Sequence, residues 1–389
     1  MLHRFDDYPI HQSAQPLAHV DSLGANVSDR YFFDGYKTDA SLYFAATLGV
    51  YPSRGVIDAA LSVVVDGEQV STLASGRAPL DRTRTRVGPL QVEVLEPMRT
   101  LRFRCRGDEG PLQAELVFQA RTAAIEAPRF TLVQDGVTLL DYTRLTQWGR
   151  WEGWISLDGR RIDVNSTLLG SRDRSWGVQP MGEQVGRGAP PRRAPQYFGL
   201  RAPLNFADCA VQFDTNEFSD GRSWHNFSAI VPRLLDGLDG LNNLDQQEPT
   251  DIEAAQDALL EPPIVMRAAQ YVIDWEPGTR RSSMASIILE PHGSADTHII
   301  RLEPLVNFQM AGLGYRHPDW GHGSWHGEEA TANWRWRLAD IDPAAPENLH
   351  VHQVVSARWG SRIGIGVLDQ LALGNHDPSG LSGLHDGAP

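Results

Sequence analysis

Cysteine, lysine and long apolar runs are what this 389-residue chain has least of. Its two cysteines, Cys105 and Cys209, are far apart and in no C-x-x-C pattern, which excludes a disulfide framework or a thiolate metal centre. No stretch of about 18 apolar residues occurs, so no membrane-spanning helix is expected. The opening MLHRFDDYPIHQSAQP carries charge where a secretory leader needs its apolar run. A reduced, cytoplasmic protein without stable membrane insertion is the resulting expectation. Lys37 is the only lysine, so arginine supplies nearly all positive charge, which reads as coding bias and not as chemistry. A formal net charge of −14 and a pI near 5.4 argue against nucleic acid or an anionic membrane as the main partner. A neutral or weakly polar small molecule fits better. The chain also lacks G-x-x-x-x-G-K-[ST], H-E-x-x-H, G-x-S-x-G and any cysteine-based zinc spacing. Gly364-Ile-Gly366 is half a dinucleotide fingerprint, but it lies in a strand pattern with no helix to follow. No cofactor and no metal are expected.

What the chain does have is β-periodicity. Short alternating or apolar runs separated by turn residues recur: Ala59–Val65, Leu90–Leu95, Leu101–Cys105, Ala114–Phe118 and Trp154–Leu157 in the first half. They continue through Tyr197–Leu200, Cys209–Phe213, Phe227–Val231, Tyr271–Trp275, Met284–Leu289, His298–Leu302, Trp334–Leu338, Val351–Val355 and Ile363–Leu368. Asp66-Gly67 and Asp158-Gly159 suit type I′ hairpins, which need positive φ at both central residues. Met181–Pro195 is a long Gly/Pro/Arg-rich loop, and Asp251–Leu260 is the one expected helix, capped by Thr250 and Glu253 and stopped by Pro262-Pro263. Length favours two domains. The expectation is an all-β protein of two antiparallel β-barrel or β-sandwich domains packed together, residues 1–218 and 219–389, with an acidic helical insertion at about 236–263. All eleven tryptophans lie between Trp148 and Trp359, so the halves are not copies of one another.

Chemistry-bearing residues cluster in three places. In GSRDRSWG an extended chain puts Ser171, Asp173 and Ser175 on one face, opposite Arg172, Arg174 and Trp176. An acid aimed into an aromatic cavity is held neutral by desolvation and can donate a proton, whereas beside an arginine it is a salt bridge; both readings stay open for Asp173. In FDTNEFSDGRSWH, Asp214 and Asn216 share a face and His225 either acts as a base or belongs to a turn cluster. In GYRHPDWGHGSWHGE, His317, His322 and His326 are spaced by five and four with Pro318, Gly321 and Gly323 between, so no helix presents two of them to a metal. That segment reads as a rigid loop at a cavity rim, with Tyr315 and His317 able to relay protons and Trp320 able to touch ligand.

The order GSRDRSWG, QYFGLRAPL, FDTNEFSDGRSWHNFSAIVP, YVIDW, SIILEP, SWHGE, GIGVLDQL resembles the two-domain lipocalin-like family of carotenoid 1,2-hydratases (hydroxyneurosporene synthases), AttH-like proteins and fungal lipocalin-like Diels–Alderases. The resemblance runs from about residue 90 onward, and D-x-x-W-G is its most specific element. It implies two lipocalin-like β domains with a largely apolar ligand cavity at or between them. It also implies protonation of an isolated double bond by an aspartic acid, matched here by Asp173, with Gly177 matching the glycine. Ser171 stands where the hydratase element has tyrosine, and Trp148 and Trp151 stand where it has His-x-Trp. Aromatic faces stabilise a carbocation, and Tyr142, Trp148, Trp151, Trp154, Trp176 and Tyr197 are available for that, although tryptophans in β proteins also fill cores. The function expected is a cofactor-independent acid/base enzyme (hydratase or dehydratase, isomerase or cyclase) acting on a terpenoid-like or other hydrophobic small molecule, possible homo-oligomerisation left open. Asp173, His225, Tyr315 and His317 are its catalytic candidates, and Tyr142, Trp148, Trp151, Trp176, Tyr197, Asp214, Asn216 and Trp320 its substrate contacts. The alternative is a non-catalytic lipocalin-type carrier of hydrophobic ligands.

Overall fold

The computed structural model describes residues 24–107, 110–179, 194–234, 261–293 and 296–389. Twelve strands come first: β1 (Val27–Tyr36), β2 (Leu42–Tyr51), β3 (Val56–Val65), β4 (Glu68–Arg77), β5 (Arg86–Val87), β6 (Leu90–Glu96), β7 (Thr100–Cys105), β8 (Leu112–Ala120), β9 (Ile125–Glu126), β10 (Phe130–Gln134), β11 (Val137–Leu157) and β12 (Arg160–Val178). Nine follow: β13 (Tyr197–Asn205), β14 (Cys209–Glu217), β15 (Ser223–Pro232), β16 (Ile264–Trp275), β17 (Ser282–Pro291), β18 (His298–Gln309), β19 (Glu329–Arg337), β20 (His350–Trp359) and β21 (Arg362–Leu373). Among the described residues the only helices are short 3-10 turns, so these residues are all-β as expected. The expected helix at Asp251–Leu260 and most of the Met181–Pro195 loop lie outside the described residues.

The strands form two sheets. The first has the order β19-β4-β3-β2-β1-β12-β11-β8-β7-β6-β5, with β9 and β10 also paired to β11. The second closes into an eight-stranded barrel, β13-β14-β15-β16-β17-β18-β20-β21. The change of sheet therefore comes between Val178 and Tyr197, not at 218/219: β13 and β14 hydrogen-bond to each other, and β13 also to β21. Against that order, β19 leaves the barrel half and pairs with β4, so a strand from late in the chain completes the first sheet.

Hairpin chemistry sets the register. Asp66 and Gly67 have φ of 53° and 77°, and Asp158 and Gly159 have 50° and 81°, the left-handed pairs that a type I′ turn requires. Asp135-Gly136, at 52° and 79°, makes a third such turn between β10 and β11.

Period-two alternation sorts the side chains of the first sheet. Phe33, Phe44, Leu48, Leu61, Phe103, Phe118 and Trp151 fill its own core. Neighbours of opposite parity, Phe32, Tyr36, Tyr43, Ala45, Ala60 and Val64, pack instead with Phe308, Val354, Ile365 and Val367 of the barrel wall. That is why β2 and β3 are buried almost throughout: the sheet is covered on both faces, which calls for near-continuous apolar runs. A second apolar contact joins Ile125, Phe130 and Trp148 to Ala210, Phe227, Ala229 and Val231. The outer face of one sheet thus lies on the outer wall of a barrel, and the polar residues trapped there form the site.

Candidate functional site

The junction is built from β1, β11 and β12 on one side and β13, β14, β20 and β21 on the other. On β1 the barrel-facing residues are Phe32, Asp34 and Tyr36; across the ladder Asp34 is opposite Ser171, and Phe32 is opposite Asp173. Asp34 is 0 % exposed. Its Oδ1 accepts hydrogen bonds from the Ser171 N–H at 2.6 Å and the Ser171 hydroxyl at 3.1 Å, while its Oδ2 has no partner. Burial pushes the carboxyl up to about 7, opposed by the Ser171 N–H and Arg201 and reinforced by the charge of Asp173. Two close approaches hold the backbone here. The Trp151 indole N–H donates to the Asp34 carbonyl at 2.7 Å, and Gly170 leaves space for it, since a Cβ there would lie 2.0 Å from that oxygen.

Asp173 is also buried, but it is not isolated: it sits in an arginine pair, one of the two readings the sequence left open. Arg201 Nη2 donates to its Oδ1 at 2.6 Å and the Thr146 hydroxyl at 2.7 Å, in an ion pair closed off from solvent on both sides. Arg201 also reaches Thr146 Oγ1 at 3.2 Å, so one guanidinium from the barrel binds two strands of the first sheet. A second crossing pair joins Arg144 on β11 to Asp214 on β14. His225 stacks on Phe130 with ring centroids 3.8 Å apart. Burial and then the nearby Arg144 charge bring its imidazole down to about 3. It is therefore neutral near pH 7.

The remaining expected contacts scatter. Tyr142 stacks on Phe130 at 4.4 Å and Trp148 is wholly buried beside it, both at the junction. Trp151 has opposite parity and belongs to the core of the first sheet, so it does not face the junction. Trp176 is 40 % exposed. The Asn216 amide donates to the Tyr197 hydroxyl at 2.9 Å on the barrel side. In the loop 314–328 the three histidines do not converge. His317 Nδ1 accepts from the backbone N–H groups of Asp319 and Trp320, which makes it a loop brace and takes that nitrogen out of any relay. His322 Nε2 meets Arg30 Nη2 at 2.8 Å, and His326 stacks on Trp320 at 3.9 Å. Burial, then Arg30, bring His322 down to about 4. Tyr315 accepts from Arg30 at 3.0 Å. Loop and sheet are tied further by the Gly323 N–H to Asp58 Oδ2 at 2.7 Å.

Asp34 escaped the sequence reading because Asp34-Gly35 looks like a turn, yet it lies in mid-strand. Among the described residues, one group offers three metal-ligating atoms close together: His350, His352 and Asp369. His352 is the cross-strand partner of Asp369, which in turn is opposite Arg201. A cavity of about 410 Å³ lies elsewhere, at one end of the barrel, lined in part by Arg281, Ser282, Asn307, Gln309 and Gln353. Neither Asp34 nor Asp173 lines it.

Solved structures of similar architecture include a Nitrosomonas europaea structure assigned as an AttH, 12 % identical with a TM-score of 0.51, over 88 % of this chain and 92 % of that one. Kievitone hydratase from Nectria haematococca aligns at 11 % identity and a TM-score of 0.49, over 88 % of each chain. CghA aligns at 12 % and 0.47, over 91 % of this chain and 90 % of that one. At such identities the likeness is one of fold, and it is the two-domain lipocalin-like fold that the motif order resembles. No protein of curated function matches the sequence. Residues 2–382 match a family model, and the chain belongs to that family: DUF8625, a family of unknown function.

Proposed function

We propose that the protein is an acid/base enzyme, a hydratase or dehydratase, isomerase or cyclase, that acts on a terpenoid-like or other hydrophobic small molecule at the junction of its two sheets. Asp34 takes the proton-donor role that the sequence pattern suggested for Asp173. The observation that carries this reading is a wholly buried carboxyl whose Oδ2 has no hydrogen-bond partner. A protonated acid in a dry site can deliver its proton to an alkene carbon, leaving a carbocation and the Asp34 carboxylate. The fixed charge of Arg201 stabilises that carboxylate, and Phe32 and Tyr36, on the same strand face, offer ring faces to the cation. Attack by water and return of its proton to Asp34 completes a hydration; loss of a neighbouring proton to Asp34 completes an isomerisation. Asp173 then positions Arg201. Because Asp34 is sealed from solvent, entry of substrate requires the two sheets to part locally.

The barrel-end cavity favours a second reading, binding without chemistry. Its volume lies away from the acid, and its polar lining suits a polar guest better than a hydrocarbon. The two readings separate in an incubation with a panel of isoprenoid alkenes in D2O, with products and recovered alkene examined by mass spectrometry. Deuterium incorporation by the native protein and its loss in Asp34→Asn supports the enzyme. Absence of exchange and of conversion for every alkene in the native protein leaves only binding without chemistry.

A further inference from the structure

We propose that His350, His352 and Asp369 bind one first-row divalent metal ion on the barrel wall. The ligand pattern follows from strand geometry. His350 and His352 are two apart on β20, so both side chains leave the same face of the strand. Asp369 is the residue opposite His352 on β21. His350 Nε2 stands 2.8 Å from Asp369 Oδ1, and His352 Nε2 stands 3.4 Å from Asp369 Oδ2. Two atoms bound to one ion by bonds of about 2.1 Å are separated by roughly 3.0 to 3.5 Å, which the 3.4 Å spacing meets, while the 2.8 Å spacing is that of a hydrogen bond that the ion would open by a few tenths of an ångström.

A second observation points to a ligand and not to a closed hydrogen-bond network. His352 is only 2 % exposed, and its Nε2, the nitrogen aimed at Asp369, completes no hydrogen bond. A buried ring nitrogen left in that condition is costly, and a shared cation removes the cost. The other nitrogen is already oriented, since His352 Nδ1 and the Tyr43 hydroxyl are hydrogen-bonded at 3.0 Å. A proton on Nδ1 leaves the Nε2 lone pair free for metal, the arrangement in which an outer hydrogen bond fixes the tautomer of a ligating histidine. Phe32 and Tyr315 hold the imidazoles from the sides, with ring centroids 5.4 Å from His352 and 5.0 Å from His350. The Asp369 side chain is 23 % exposed, which leaves a route for an ion and for water or a ligand at its open positions.

Two imidazoles and one carboxylate suit zinc or ferrous iron, and are too nitrogen-rich for magnesium or calcium. Such an ion would replace the metal-free site expected from the sequence. It does not depend on the role of Asp34. The histidine-rich loop 314–328 offers no competing set, because His317, His322 and His326 already have separate partners.

The test uses the full chain without a histidine tag. Metal content is measured by plasma mass spectrometry after purification, and after dialysis against chelator followed by addition of Zn2+, Fe2+ under anaerobic conditions, or Co2+. One equivalent per chain, with visible Co2+ absorption, is expected for the native protein. His352→Gln and Asp369→Asn should weaken binding ten- to a hundredfold or more, with circular dichroism checking their fold, while His317→Gln and His322→Gln should keep it. Failure of folded native protein to take up any of the three ions overturns the proposal, and so does one-to-one binding that survives His352→Gln and Asp369→Asn.

Discussion

Replacing Asp34 with asparagine isolates the carboxyl on which the functional reading depends. Asparagine keeps the shape and the acceptor facing Ser171, but cannot ionise. In the unfolded chain Asp34 titrates near 3.8, and in the folded protein near 7. Below pH 3.8 both states hold the proton and the carboxyl contributes no pH dependence. As pH rises from about 4 to 7 the unfolded state releases its proton while the folded state keeps it, so stability falls. Above about 7 both are ionised and the loss is complete. The interval corresponds to about 4 kcal/mol at most, a large part of the 5–15 kcal/mol that holds a typical domain together. Arg201, Asp173, Tyr36 and Tyr43 surround the site in both proteins, so the variant-minus-native difference isolates Asp34. Urea unfolding of both proteins at half-unit steps from pH 4 to 8.5 measures it. The asparagine variant should gain on the native protein steadily from pH 4 to 7 and then level off. A difference that stays flat across that range refutes the reasoning.

Arg201→Met leaves the Asp173 charge buried without its cation and should destabilise by about 3–5 kcal/mol, most of it recovered in the double variant Arg201→Met/Asp173→Asn, as read from denaturant midpoints. Gly170→Ala places a Cβ against the Asp34 carbonyl and the Trp151 indole nitrogen, and should cost on the order of 3 kcal/mol with a changed tryptophan fluorescence maximum. His225 has its folded value depressed to about 3, so the stability it contributes is complete above pH 6.5 and is lost as pH falls toward 3. His225→Phe should flatten that acid limb of the melting-temperature profile; an unchanged slope would show that His225 is not buried in neutral form.

Fold class was legible because it is written in local alternation. Every run from Ala59–Val65 to Ile363–Leu368 lies in a strand, with only Leu338 falling just past the end of β19. Pairing across distance was not. Nothing local shows that Trp334 and Trp336 complete the sheet of β4, or that Tyr197 begins a barrel closed by Leu373. Asp34 shows the same limit in one residue. Gly35 reads as turn punctuation, but it serves as a gap for the Phe44 ring, which a Cβ would meet at 2.4 Å, and the strand runs straight through. The acid becomes unusual only when Ser171, Asp173 and Arg201 arrive from other strands. Asp173 was found by its motif, yet its motif could not reveal that Arg201 would neutralise it. His-Val-His at 350–352 was legible as strand from Val351 onward, and the signal passed over was two histidines sharing a face.

The most direct measurement is the protonation state of one side chain. Infrared difference spectra between native protein and Asp34→Asn, recorded from pH 5 to 9, should show a protonated-carboxyl C=O band at pH 5 that gives way to carboxylate with a midpoint near 7. A carboxylate signal already complete at pH 5 would contradict the account.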